Sequence, residues 1–207
     1  MPTLRANVPL SLVVGQDRRT ASDGDVARAL SAGETWAAVE TWRRFAPMVL
    51  KLAKRTLGSA TEAEDIGQEV FCRVYRKVGT LREPDSFRSF VYTCTLRALQ
   101  NELHRKKMRS WLSFERPELL DLQGGEALDV ESRDLLRKLY VSLDRLAPRD
   151  RIVFVLRRVE AMTIEEIAHA MELSDSTVKR SLARASHRLS RWMDDEPRLA
   201  AGEGCGR

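Results

Sequence analysis

Between Ser176 and Met193 the chain carries five Lys or Arg residues and no acidic one. On a helix, Lys179, Arg180, Ala183, Arg184 and His187 face one way, while Val178, Leu182, Ala185 and Leu189 face the other. Cations beside a small residue, on a face that can approach closely, suit a polyanion held by charge and read at its base edges. Covalent chemistry has no comparable candidate. The three histidines His104, His169 and His187 are dispersed, and no Gly-rich phosphate loop or nucleophile–base constellation appears. The three cysteines Cys72, Cys94 and Cys205 lack C-x-x-C spacing. Neither an enzyme, a metal site nor a cofactor is expected.

Two further sets of side chains have spacing that could do work. Asp65, Gln68, Glu69 and Cys72 fall at i, i+3, i+4 and i+7, aligning a polar, acidic strip on one helix. Such a strip is either a solvated face or a docking surface for a basic partner helix. From Ser86 to Tyr92 the aromatic rings of Phe87, Phe90 and Tyr92 alternate with hydroxyls and the Arg88 guanidinium. From Arg97 to Arg109 there are then five Lys or Arg against one Glu. Unstacked bases on aromatic rings, with phosphates on the cations, would make single-stranded DNA a ligand. The alternative is that the rings fill a core and the basic run solvates a helix end.

Helices must position all three sets. Apolar residues recur at helical spacing from Asp25 to Leu103 and from Asp134 to Met193, with no sustained strand-like alternation. Val39, Trp42, Phe45, Val49 and Ala53 mark one face of a segment that Pro47 is predicted to break or kink. Thr61 with Glu64, and Thr163 with Glu166, read as capping boxes. The latter opens a short helix, followed by a turn at Glu172-Leu173 and a second helix capped by Ser174: a helix-turn-helix with Ser176 to Arg188 as the reading helix. An ordinary helical hairpin with a basic face is the alternative.

The expected fold is all-α: two small helical domains, 25–112 and 134–193, joined by a flexible acidic linker over 113–133. Residues 1–24 and 194–207 read as mobile ends. The linker contains Pro117, Gly124-Gly125 and six acids against one Arg through Ser132. Lys and Arg total 35 against 30 Asp and Glu, and the formal net charge is +5, which fits a polyanionic partner. No membrane-spanning run or signal peptide is read, so a cytoplasmic location is expected.

In order and content, Asp25 to Met193 resembles the extracytoplasmic-function class of bacterial sigma factors. Thr61-Glu62-Ala63-Glu64-Asp65-Ile66-Gly67-Gln68-Glu69-Val70-Phe71-Cys72-Arg73-Val74-Tyr75 is similar to the family's polymerase-binding helix, A-E-D-L-x-Q-E-V-F-x-x-x-W. The resemblance implies that Asp65, Gln68 and Glu69, with Cys72 beside them, meet the coiled coil of the largest polymerase subunit. Ser86 to Met108 resembles the segment that opens and reads the −10 element. This implies base capture by Phe87, Arg88, Phe90, Tyr92, Arg97, Asn101 and His104, with phosphates on Arg105, Lys106, Lys107 and Arg109. Leu146-Ala147-Pro148 through Leu189 resembles the domain that reads the −35 element, implying contacts from Ser176, Thr177, Lys179, Arg180, Ala183, Arg184 and His187.

Core RNA polymerase, promoter DNA and an anti-sigma factor that clamps both domains are the implied partners. Leu96-Arg97 stands where the family often has Arg-Asn, Glu172 replaces its common turn Gly, and Asp175-Ser176 replaces Val-Gly. These departures bear on the −10 pocket and on the start of the reading helix. The rival expectations are a helix-turn-helix regulator whose first domain senses or dimerises, and a polymerase-binding adaptor that does not initiate.

Overall fold

A computed structural model describes residues 20–112 and 130–202, with side chains over 20–109 and 133–191. Most of the expected linker, and the outermost parts of both expected mobile ends, lie outside the described residues.

Eight α-helices and two short 3-10 turns make up the described chain, with no strand among the described residues. The first half holds α1 (Asp23–Ser31), α2 (Thr35–Leu57), α3 (Ala60–Lys77) and α4 (Phe87–Leu112). The second holds α5 (Val130–Asp144), α6 (Pro148–Arg158), α7 (Ile164–Met171) and α8 (Asp175–Gly202). The 3-10 turns Val78–Thr80 and Pro84–Ser86 connect α3 to α4.

Helix starts follow local hydrogen-bond needs. Ser22 and Asp25 cap α1 reciprocally. Gly58, at φ 84°, ends α2 in the left-handed conformation that glycine adopts freely, and extended Ser59 then caps α3 by accepting from the Glu62 amide at 3.3 Å. The cap is therefore Ser59, not Thr61, because the turn at Gly58 delivers the chain one residue before the helix.

Pro47 lies inside an uninterrupted α2. One missing backbone bond is outweighed there by burial on both sides of it, with Phe45, Val49 and Ala53 at 0% exposure. Val39 and Trp42 of the same predicted stripe stay 43% and 45% exposed, as the apolar face rotates out of the core towards the helix start. At its far end α8 continues to Gly202, past the expected boundary at Asp194. Polar composition is not a stop signal, and Arg198 to Ala201 are good helix formers.

The most extensive pairing is α2 on α3, with α4 across both. At their crossing a Cβ on Gly67 would stand 2.9 Å from Leu50, so the missing side chain lets α3 sit close to α2. One apolar cluster runs from Val26, Phe45, Val70, Phe87 and Leu99 of the first half into Ile152, Leu156, Ile167 and Val178 of the second. A smaller cluster of Leu143, Leu146, Ala185 and Leu189 binds α5 to α8.

Glu40 is a buried charge on α2. Its carboxylate accepts from Arg43 at 2.6 Å and 2.8 Å and is also paired with Arg44, which reaches Asp23 of α1 at 3.1 Å. Hydrogen bonds from Arg43, then from Arg44, outweigh desolvation and hold the carboxyl at about 2 instead of 4.5. A depressed carboxyl stabilises the fold above its unfolded value and loses that contribution as pH falls through its folded value. With Arg43 half in solvent, the contribution at neutral pH is about 2 kcal/mol. In acid titrations followed by circular dichroism, Glu40→Gln should lower stability at pH 7 by that amount and flatten its loss between pH 4.5 and about 2. A wild-type slope retained in the variant would refute the assignment.

Candidate functional site

The helix-turn-helix is built as local chemistry requires. The Thr163 hydroxyl accepts from the Glu166 amide at 3.2 Å, and the Glu166 carboxylate accepts from the Thr163 amide at 2.7 Å. Glu172 occupies the turn at φ 55°, ψ 44°, a left-handed conformation that costs a non-glycine residue about 1 kcal/mol. There its amide donates to His169 at 3.3 Å, and that of Leu173 to Ala168 at 2.9 Å, which satisfies the last carbonyls of α7. Ser174 accepts from the Thr177 amide at 3.3 Å and starts α8.

Along α8, Val178 and Ala185 are fully buried and Leu189 nearly so, while Ser176, Lys179, Arg180, Ala183 and His187 are exposed and Thr177 is half-buried. Arg184 is engaged differently from the sequence-based expectation. Its guanidinium grips the buried Asp150 of α6 through two hydrogen bonds, at 2.8 Å and 3.0 Å, and also donates to Ser181 at 3.0 Å. Burial pushes the Asp150 carboxyl up, but the bonds from Arg184 and Ser181 overcome this and hold it below the usual carboxylate range. Arg184 therefore ties the reading helix to its support instead of standing free for phosphate, and a buried carboxylate left without it would be costly.

α4 carries every residue expected at the −10 element, but the structure sorts them into four groups. Phe87 is at 0% exposure, edge-on to Phe45 at 5.4 Å and stacked on Phe90 at 6.4 Å, so it is a core residue and not a base platform. Phe90 and Tyr92 are half-buried, and Arg88 is exposed, 3.2 Å from Asp23 with its guanidinium carbon 5.3 Å above the Phe45 ring. Arg97, Asn101 and His104 follow at i, i+4 and i+7 and make one exposed strip, with Lys107 also exposed. Arg105, Lys106 and Arg109 turn instead to carboxylates. Arg105 meets Glu69 at 3.0 Å and Glu102 at 2.8 Å, Lys106 meets Glu62 at 2.6 Å, and Arg109 meets Glu102 at 2.8 Å.

The acidic strip on α3 stands as the spacing predicts: Asp65, Gln68 and Cys72 are exposed and Glu69 is half-buried. Glu69 is shared between Arg73 and Arg105, each at 3.0 Å, and its hydrogen bond raises the Arg105 pKa. A residue assigned to docking and one assigned to DNA thus neutralise each other in the free chain. Arg151 escapes sequence reading although it is the largest fully buried side chain among the described residues. Its place in register with the core residues Pro148 and Val155 is the signal that could have found it.

Known proteins share this arrangement. The model of sigma-70 region 2 matches residues 41–109, and that of sigma-70 region 4 matches residues 136–189. The ferric citrate uptake sigma factor FecI of Escherichia coli is 33% identical over 139 residues, covering 63% of this chain and 76% of that protein. The ECF RNA polymerase sigma factor SigE of Mycolicibacterium smegmatis is 29% identical over 165 residues, covering 76% of this chain and 63% of that protein. Among solved structures, CnrH in complex with the cytosolic domain of CnrY superposes with a TM-score of 0.56 at 22% identity, over 84% of this chain and 98% of CnrH. With both sigma-70 regions matched in order on an all-α framework, the chain belongs to the extracytoplasmic-function class of sigma factors, non-enzymatic subunits that bind core RNA polymerase and direct it to promoters.

Proposed function

We propose that residues 25–112 work as one domain that docks on polymerase through Asp65, Gln68, Glu69 and Cys72, and takes the −10 element on α4 and the turn before it. Arg88, Phe90, Tyr92, Arg97, Asn101 and His104 receive melted bases there. Lys107 holds phosphate, and Arg105, Lys106 and Arg109 join it once their carboxylate partners are engaged elsewhere. Residues 134–193 form the second domain, in which Ser176, Thr177, Lys179, Arg180, Ala183 and His187 meet the −35 element. Linking two weak sites raises the effective concentration of the second, so a bipartite promoter is selected that neither domain would hold alone.

The observation that carries this reading is an exposed face on α8, free of acids from Ser176 to Arg191, opposite a face on which Val178, Ala185 and Leu189 are buried. Promoter-directed runoff transcription with core polymerase tests it. Polymerase binding without runoff would favour an adaptor, and promoter binding without polymerase would favour a simple regulator. Lys179→Ala with Arg180→Ala should weaken binding of a promoter duplex and reduce the slope of log affinity against log salt by about 2, one for each phosphate no longer neutralised. An unchanged slope would place the phosphates elsewhere.

A partner chain that holds the protein inactive in the cytoplasm, in the manner of an anti-sigma factor, completes the proposal. Its support is that CnrH, a protein of this fold, was captured with the cytosolic domain of CnrY. Among the described residues no helix is long and apolar enough to cross a membrane.

A further inference from the structure

Arg88 is the second residue of α4, where the positive end of the helix dipole disfavours a cation and the first turn holds no acid of its own. What keeps it in place comes from α1. The Asp23 carboxylate accepts from Arg88 Nε at 3.2 Å through Oδ2 and from Arg44 Nη1 at 3.1 Å through Oδ1. Arg44 is in turn fixed by the buried Glu40, which also holds Arg43. Alternating charges thus run from α2 through α1 to the start of α4, and side-chain exposure rises along them from 8% at Glu40 to 21% at Asp23 and 64% at Arg88.

A second contact is steric. α1 runs so close to the turn before α4 that a Cβ on Gly24 would fall 2.1 Å from the Asp85 carboxylate and 3.4 Å from its amide nitrogen. Arg28 of α1 lies 3.7 Å from the same carboxylate. α1 therefore braces both the turn and the side chain that follows it.

An unrestrained Arg side chain gives up rotamer freedom when it binds. Here Asp23 and the Phe45 ring, 5.3 Å from the guanidinium carbon, have already restricted it. Asp23 takes only the Nε edge, and the Nη1 and Nη2 groups of Arg88 make no hydrogen bond among the described residues. A planar fork held in this way fits two neighbouring acceptors.

We infer, on the −10 assignment of Arg88 given above, that Asp23 is a positioning residue: it aims the Arg88 fork at the edge of a melted base, which makes the contact selective and not a general attraction for phosphate. Guanine offers two neighbouring acceptors in O6 and N7 and cytosine in O2 and N3, whereas adenine and thymine alternate donor and acceptor on the corresponding edges. The fork therefore selects guanine or cytosine at one position of the −10 strand.

Holoenzyme assembled from core RNA polymerase and the full chain, incubated with a randomised 12-nucleotide single-stranded DNA library, reports base preference at each position when the bound strands are sequenced and aligned. The wild type should favour guanine or cytosine about tenfold at one position. Arg88→Lys keeps the charge without the fork, and Asp23→Ala keeps the fork without its holder. Each should flatten that position to below about threefold while total binding and the other preferences stay within about twofold of wild type. The double variant should be no flatter than the flatter single one, since both act through one contact. Asp23→Glu, which restores a carboxylate, should recover part of the preference.

An Asp23→Ala holoenzyme with the wild-type preference, or one whose binding falls uniformly in step with a lowered melting midpoint, would overturn the positioning role while leaving Arg88 its own. If Arg88→Lys weakens binding equally for every base, or the wild type shows no such position, the fork does not read a base edge and the inference fails. An Arg88→Lys holoenzyme unchanged in both preference and affinity would instead remove Arg88 from the −10 site, so that the premise fails and the inference with it.

Discussion

Asp65→Lys combined with Glu69→Lys should reduce affinity for core RNA polymerase at least ~100-fold, because it reverses both charges of the exposed strip on α3. Truncating one member of a desolvated interfacial charge pair costs about 2 to 5 kcal/mol, and reversal adds repulsion from the basic partner surface. Titrating labelled protein with core enzyme at two salt concentrations measures the effect, which should shrink as salt screens it. Glu69 is also the shared partner of Arg73 and Arg105, so its reversal gathers three cations and releases Arg105. Asp65→Lys alone is therefore the cleaner arm, expected to account for at least ~10-fold, with unchanged thermal melting because Asp65 is exposed. Wild-type affinity in the double variant would remove the docking assignment.

Phe87→Ala should destabilise the protein by about 3 to 5 kcal/mol and lower its melting midpoint by roughly 10 °C. The ring is at 0% exposure between Phe45 and Phe90, where truncation leaves a cavity that two rigid neighbours cannot fill. Any loss of transcription in this variant should track the fraction folded and recover below the lowered midpoint. Phe90→Ala makes the contrast. Its half-buried ring should cost about 1 to 2 kcal/mol while impairing promoter opening in fully folded protein. If Phe87→Ala melts like the wild type yet fails to open promoters, the ring reads bases after all and its burial is not maintained in the complex.

The different fates of Phe87 and Phe90 show how far pattern carries. An aromatic–hydroxyl–guanidinium segment advertises both core and ligand, and its period cannot say which ring turns inward. That choice depends on Phe45, contributed by α2 more than forty residues earlier. The same holds for Arg184. On α8 it shares the outward face of Lys179 and Arg180, but α6 places Asp150 within 2.8 Å of it. By contrast the helix-turn-helix is legible almost to the residue. Capping by Thr163 and Ser174 and the stripe of Val178, Ala185 and Leu189 are settled within a few turns of backbone. The turn residue Glu172 can be picked out as left-handed from the sequence, but not its ion pair with Arg97, seventy-five residues away.

From residue order alone come the all-α class, the two charge-bearing faces, the caps at Thr163 and Ser174 and the family, since each depends on neighbours within one or two helical turns or on motifs in linear order. What tertiary structure decides is which charges remain available. Glu69 with Arg105, Asp150 with Arg184, Glu172 with Arg97, and Arg151 with the end of α2 are partners across 34 to 95 positions. A guanidinium has the same composition and the same period whether it waits for a phosphate or has already found a carboxylate. The difference lies in which helices pack together, and that is set by the fit of apolar faces distributed over the whole chain.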